Sequence, residues 1–247
     1  MLGASYAEGV KIEEVTLGPV RIAWTVAADD ADLLDAVRVL GPSQRIRHDS
    51  MDAVRARRFA TGRRLLSALV HGPSAGAVRI ESVCERCGGD HGRPRVEGAP
   101  FTVSVSYAGD MVVAAAVGLD AASAVGIDIE RRTSDVDSPM SELTNLFAPH
   151  EPPGLREWTE IEAAVKADGR GLRIPPADVA FGERSSMLPG GRAVHVPGRR
   201  ERMEVAPAAG PADHVVSVAV VAAVSAATPG AARHPATHGT ALREAPR

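Results

Sequence analysis

Apolar and polar residues alternate through Val20-Arg21-Ile22-Ala23-Trp24-Thr25-Val26, the period-two pattern of a strand with one buried face. Asp29 and Asp30 open a stretch that predicts a helix over 29–40. From a cap at Ser50, the positions Met51, Val54, Leu65, Leu66 and Leu69 recur at helical spacing and predict a second helix to Val70, stopped by His71-Gly72-Pro73. A short strand follows at 77–83, then a Cys- and Gly-rich turn over 84–94. A hairpin is expected from strands at 101–107 and 111–117 joined through Ala108-Gly109-Asp110, with another strand at 124–130. Beyond the polar stretch 133–139, a short helix fits 140–147, and a clearer one fits 155–168, ending at Gly169. Strands are expected again at 178–181, 192–196, 202–205 and 215–224.

The apolar runs 111–119 and 215–224 resemble each other and close the two parts of the chain in similar positions, which suggests an internal duplication. With 247 residues the chain lies near the size at which one core stops growing. Two halves are therefore expected, over 1–120 and 121–225. Residues 226–247, a mixture of Ala, Pro, Gly, Thr, His and Arg without periodicity, are expected to be a disordered tail. Those two apolar runs are about half the ~20 residues a membrane-spanning helix needs, and 1–10 carries no basic-then-apolar export pattern, so no membrane is expected and the cytoplasm is the expected location. A net charge of −3 gives no global reason to bind nucleic acid. Two cysteines cannot supply a disulfide framework.

The chemistry concentrates in a few places. In Gly126-Ile127-Asp128-Ile129-Glu130 a strand puts both carboxylates on one face and both isoleucines on the other. Two acids side by side are either solvated at an edge or hold a hard cation between them. In the helix beginning near Leu155, the phase places Glu162 among Leu155, Trp158 and Val165, while Glu160 points away. A carboxylate in an apolar stripe needs a partner: an i,i+4 bridge to Lys166 is one solution, and a shared cation with Asp128 and Glu130 is the other. Lys166 is one of only two lysines among 28 basic residues. In the second helix, which runs to Val70, Arg58 falls in line with Met51, Val54 and Leu65, beside Gly62. Its head either reaches water past the core edge or grips a phosphate that the missing side chain of Gly62 leaves room for. Cys84-x-x-Cys87-x-x-x-His91 offers three zinc ligands without a fourth at knuckle spacing.

In their order along 45–175, these pieces resemble the surfactin-type 4′-phosphopantetheinyl transferases of the holo-acyl-carrier-protein synthase superfamily. The matching segments are Arg58-Phe-Ala-Thr-Gly62, Gly92-Arg93-Pro94 with its Cys-x-x-Cys-Gly leader, Phe101 to Ser106, Gly126 to Glu130, and the helix from Trp158 through Glu162 and Lys166 to Gly171-Leu172. The resemblance implies a Mg²⁺ site of Asp128, Glu130 and Glu162 on the pyrophosphate of coenzyme A. It implies nucleotide contacts from Arg58, Arg93 and Ser104, with Arg45 at an upstream basic position. The implied reaction attaches 4′-phosphopantetheine to a serine of an acyl or peptidyl carrier protein, with Glu162 as base and Lys166 meeting charge on the leaving phosphate. The fold class the resemblance implies is α+β, two pseudo-duplicated α+β halves with the ligand cleft between them, and a cleft formed within one chain permits a monomer. The chain departs from the family pattern at Val105, where a histidine is usual, at Ile161 for a frequent lysine, at Arg93 for lysine and at Thr102 for asparagine. These departures keep a second reading alive, a non-catalytic coenzyme A or carrier-protein binding module. A metal-dependent nuclease built on Asp128, Glu130 and Lys166 is disfavoured by the acidic balance of the chain.

Overall fold

A computed structural model describes residues 3–7, 10–27, 37, 40–70, 78–132 and 140–223. The expected helix over 29–40, the helix stop at 71–73, the polar stretch 133–139 and the tail at 226–247 lie largely or wholly outside these residues. The elements are β1 (Gly3–Ala7), β2 (Val10–Leu17), β3 (Val20–Val26), α1 (Pro42–Asp49), α2 (Ala53–Val70), β4 (Arg79–Glu81), β5 (Arg95–Glu97), β6 (Phe101–Ala108), β7 (Met111–Gly118), β8 (Ala122–Arg131), α3 (Met140–Phe147), α4 (Leu155–Asp168), β9 (Ala180–Arg184), β10 (Arg192–His195), β11 (Met203–Ala208) and β12 (His214–Ala222). The architecture is α+β. A seven-stranded sheet runs β1-β2-β3-β7-β6-β5-β4 and a five-stranded sheet runs β8-β12-β11-β10-β9, with antiparallel pairing between the strands of each.

The two continuous apolar runs become β7 and β12, each with neighbours on both sides and buried on both faces, which is why neither alternates. Between the sheets, Ile22, Trp24, Val113 and Val117 pack with Val125, Ile127, Ile129 and Val218. On the outer face of the first sheet, Leu65, Leu66 and Leu69 of α2 meet Val103, Val112 and Ala114. On the outer face of the second, Ile161, Ala164 and Val165 of α4 meet Val205, Ala219 and Val221. The β6–β7 hairpin closes through Gly109 and Asp110, since Ala108 already pairs with Met111, and Gly109 takes the left-handed φ of +59° that such a turn demands.

α2 begins later than its pattern suggests. Asp52, not Ser50, caps it, accepting the Arg55 N–H on Oδ1 at 2.9 Å, while Ser50 closes α1. Val54 is consequently 44% exposed. In α4 the expectation for Glu160 is reversed: Glu160 is buried and pairs with Arg192, whose guanidinium lies 3.6 Å above the Phe181 ring. Glu162, expected inside the apolar stripe, is only half-buried at its margin.

α4 lies tightly on β8 because Gly126 has no side chain. A Cβ there would stand 2.0 Å from the Ala163 carbonyl oxygen and 2.5 Å from the Ala167 nitrogen, both backbone atoms. The helix ends at Gly169 (φ +86°), whose N–H donates to the Val165 carbonyl, and Arg93 donates to the Ala167 carbonyl at 3.2 Å. Asp168 in the last turn accepts from Arg170 at 2.7 Å and Arg199 at 2.6 Å. Burial alone would raise its pKa, but the hydrogen bonds and charges of these arginines outweigh that and hold it below the ordinary value.

Gly126→Ala is expected to lower stability by roughly 2–3 kcal/mol, measured by urea unfolding; an unchanged midpoint would contradict the close approach. Asp168→Asn is expected to cost about 2 kcal/mol at neutral pH. Because the folded-state pKa lies below the unfolded value of about 4, this contribution is complete above that value and drains away as pH falls through the folded-state pKa. The gap between wild type and Asp168→Asn in acid unfolding curves should therefore be constant near neutrality and shrink below about pH 4.

Candidate functional site

Strand β8 forms one edge of the five-stranded sheet, and its period of two turns Gly126, Asp128 and Glu130 toward α4 while Ile127 and Ile129 enter the inter-sheet core. On α4, Trp158, Glu162 and Lys166 stand at successive i,i+4 positions, all half-buried. Lys166 does not close an i,i+4 bridge onto Glu162. Its ammonium donates to Asp128 Oδ1 at 2.5 Å and to Ser106 Oγ at 2.8 Å, and Ser106 in turn donates to Asp128 Oδ1 at 2.9 Å.

Four acidic side chains are buried among the described residues: Asp128, Glu160, Asp168 and Glu204. The last three are each met by arginine, from Arg192, from Arg170 with Arg199, and from Arg202. Asp128, 4% exposed, differs: its cation is a lysine, and its Oδ2 is buried with no hydrogen-bond partner. An orphaned carboxylate oxygen in a low-dielectric seam is costly and invites a further cation. The neighbouring acids report the same field. Burial, then the Asp128 charge, raises the pKa of Glu130, with Glu162 adding to the rise while a hydrogen bond from Trp158 and the Lys166 charge oppose it. Burial likewise raises Glu162, against the Lys166 charge and with that of Asp128. The donor set is hard oxygen, carries excess negative charge and has an unsatisfied acceptor, so it fits a divalent ion such as Mg²⁺. The three carboxylates are not closed to the spacing of common ligands. Among the described residues the one trio whose ligand atoms lie within 4.8 Å of one another is Cys84, Cys87 and His91.

β6 separates this acidic seam from a basic one. Ser104 and Ser106 face β8, where Ser104 Oγ accepts the Ile127 N–H at 3.1 Å. Val105 and Tyr107 face the other way and line a cavity of about 350 Å³ together with Arg47, Arg55, Arg58, Arg63 and the turn at His91, Gly92 and Pro94. Pairing of β6 with β5 consists of Arg95 with Thr102, which leaves the Ser104–Ala108 edge without a strand on that side among the described residues.

The arginines rank differently from the sequence expectation. Arg58 is part-exposed and pairs with Asp110 of the hairpin turn at 3.2 Å, while lining the cavity. Arg63 is the buried one, 3% exposed, on the stripe with Phe59, Leu66 and Val70. Its guanidinium donates to Gln44 at 2.8 Å and Ser82 at 3.2 Å, shares a hydrogen bond with Tyr107 and lies 4.3 Å from the Phe59 ring centroid. All these partners are neutral, and burial lowers its pKa, so it is a desolvated cation without a counter-charge among them. The space beside Gly62 holds the Tyr107 phenol rather than standing open: a Cβ at Gly62 would meet its Oη at 2.5 Å. The Tyr107 ring edge is exposed (38%), but its hydroxyl is tucked against Gly62 and Arg63, and burial raises its pKa.

Arg45 is exposed on α1, and Arg47, two residues on, reaches the cavity wall and donates to the Asp90 carbonyl at 2.6 Å. Arg93 turns from the cavity to the end of α4. Sequence reasoning did not assign Arg47, Arg63, Ser106 or Tyr107. Ser106 shares the strand face of Ser104, and Arg63 shares a helical stripe with Phe59 and Leu66, so simple periodicity contains both. Set against known proteins, the chain matches no family model and no curated protein.

Lys166→Met leaves Asp128 buried without its counter-charge and is expected to cost roughly 2 kcal/mol in metal-free buffer, less than a fully buried pair because Lys166 is part-exposed. The double variant Lys166→Met, Asp128→Asn should recover most of that loss in urea unfolding; equal losses would show that the pair is not coupled.

Proposed function

We propose that this chain is a Mg²⁺-dependent 4′-phosphopantetheinyl transferase that moves the phosphopantetheine of coenzyme A onto a serine of an acyl or peptidyl carrier protein, acting as a cytoplasmic monomer. In this reading the two sheets belong to two duplicated α+β halves, and coenzyme A lies in the cleft between them. The observation that supports the proposal is the contact between two separate stretches, made where Lys166 of α4 pairs with Asp128 of β8. Asp128 with its orphaned Oδ2 and Glu130 come from β8, Glu162 and Lys166 come from α4, and the arginine-lined cavity stands across one strand.

The nucleotide end of coenzyme A, with its phosphates, suits the cavity of Arg47, Arg55, Arg58 and Arg63, where a desolvated guanidinium gains from an anion. The chain of phosphates would cross from that cavity toward the carboxylates past the Ser104–Ala108 edge of β6, which has no strand beside it among the described residues. Asp128, Glu130 and Glu162 would hold Mg²⁺, which when bound neutralises charge on the pyrophosphate. Glu162 accepts the proton of the carrier serine as its oxygen bonds to the β-phosphorus. The bond from that phosphorus to the bridging oxygen breaks, adenosine 3′,5′-bisphosphate leaves, and Lys166 meets the charge on its phosphate. Ser104 and Arg93 act as positioning residues here, the first by tying β6 to β8 and the second by holding the end of α4.

The second reading, a binding module without turnover, draws on Val105, which puts an apolar side chain in the cavity wall. Purified protein with Mg²⁺, coenzyme A and a panel of apo carrier proteins decides between them. The transferase reading expects a mass gain of one phosphopantetheine on a carrier, reduced on the order of 100-fold by Asp128→Ala or Glu162→Ala. Tight coenzyme A binding by calorimetry without an adduct selects the module, and absence of both removes the two readings together.

A further inference from the structure

The turn between β4 and β5 carries a second constellation that the transferase reading does not use. Cys84 Sγ, Cys87 Sγ and a ring nitrogen of His91 lie within 4.8 Å of one another, with Cys87 Sγ 2.9 Å from His91 Nε2. Both cysteines are free thiols, and they are the two cysteines of the chain. Donors on one tetrahedral zinc ion stand about 3.5 Å apart, so this clustering is of the right scale.

The backbone is folded to produce it. The Cys84 N–H donates to the Gly89 carbonyl at 2.6 Å and the Gly88 N–H to the Cys84 carbonyl at 2.9 Å, closing a tight loop whose reversal uses Gly88 at φ +71°. The Gly89 N–H reaches Cys87 Sγ at 3.4 Å. A side chain at Gly89 would press on the His91 ring (3.1 Å) and on Cys87 Sγ (3.3 Å), and one at Gly92 would strike the Val83 carbonyl oxygen at 2.4 Å. Cys87 and His91 are exposed and Cys84 only half-buried, so apolar burial does not explain why these three side chains gather.

We propose that Cys84, Cys87 and His91 bind one Zn²⁺, with water as the fourth ligand, and that the ion fastens the 84–94 turn as a wall of the arginine cavity. Two soft sulfurs and an imidazole select zinc over the hard cations that carboxylates prefer. The turn has structural work to do at that point. His91, Gly92 and Pro94 line the cavity, Arg47 donates to the Asp90 carbonyl, and Arg93 leaves the same turn to reach the end of α4. The proposal does not depend on the transferase reading.

The test uses the full chain, reduced and stripped of metal with a chelator. One equivalent of Zn²⁺ should take the number of thiols reacting rapidly with a disulfide reagent from two to none, and Mg²⁺ should leave both reactive. Co²⁺ should give the intense visible bands and thiolate-to-cobalt charge transfer of a tetrahedral sulfur site, lost in Cys87→Ser and displaced by Zn²⁺. Zn²⁺ should also slow tryptic cleavage after Arg86. Two thiols that still react at full rate with Zn²⁺ present, or a cobalt spectrum that survives Cys87→Ser, would overturn the metal site. Unchanged cleavage at Arg86 in zinc-loaded protein would overturn the fastening role.

Discussion

The seam between α4 and β8 depends on a bare backbone-to-backbone contact. Where Gly126 passes under Ala163 and Ala167, the helix comes closer to the sheet than any side chain would allow. That approach sets the reach of everything beside it. Asp128 and Glu130, the next two positions on the same strand face, fall under the margin of the helix that carries Glu162 and Lys166. On the neighbouring strand, Ser217 meets Thr159 at 2.7 Å. Ionisable groups this near in a half-buried seam act on one another: burial first raises the pKa of Glu130 and of Glu162, the Asp128 charge adds to the rise and the Lys166 charge opposes it.

β6 then divides charge by sign. One face offers hydroxyls to the acidic seam, the other an aliphatic and an aromatic side chain to a cavity rich in guanidinium groups. Opposite potentials on two sides of one strand suit an elongated polyanion that also carries a metal-binding pyrophosphate, which is the chemical character of the proposed substrate.

Much of this was legible in the sequence, and the failures share a cause. β7 and β12 announce themselves as Val- and Ala-rich runs, and α4 is bounded by Gly169, so local composition suffices for them. α1 contributes Gln44 as its buried residue and exposes Ile46, so it has no hydrophobic period to read. β1 and β2 build one margin of their sheet, and residues 11–17 of β2 are at most half-buried. The burial of Glu160 runs against its pattern and that of Arg63 is not announced by it, because the residues that make their burial tolerable, Arg192 and the group of Gln44, Ser82 and Tyr107, come from distant stretches. Periodicity says where a side chain points, but not what waits for it there. The pairing of Asp128 and Glu130 on one face was visible for the opposite reason, since a strand fixes it locally.

The two-residue connection at Gly109 and Asp110 acts as a ruler for the whole centre of the molecule. Side chains in a strand exchange sides with each step, so one residue gained or lost there, with β7 held in place, would turn Ser104 and Ser106 toward the guanidinium groups and swing Val105 and Tyr107 into the carboxylates. Asp110 also grips Arg58 from within that connection. Length and anchorage are thus set by the same pair of residues, which leaves this small exposed bend little freedom to change.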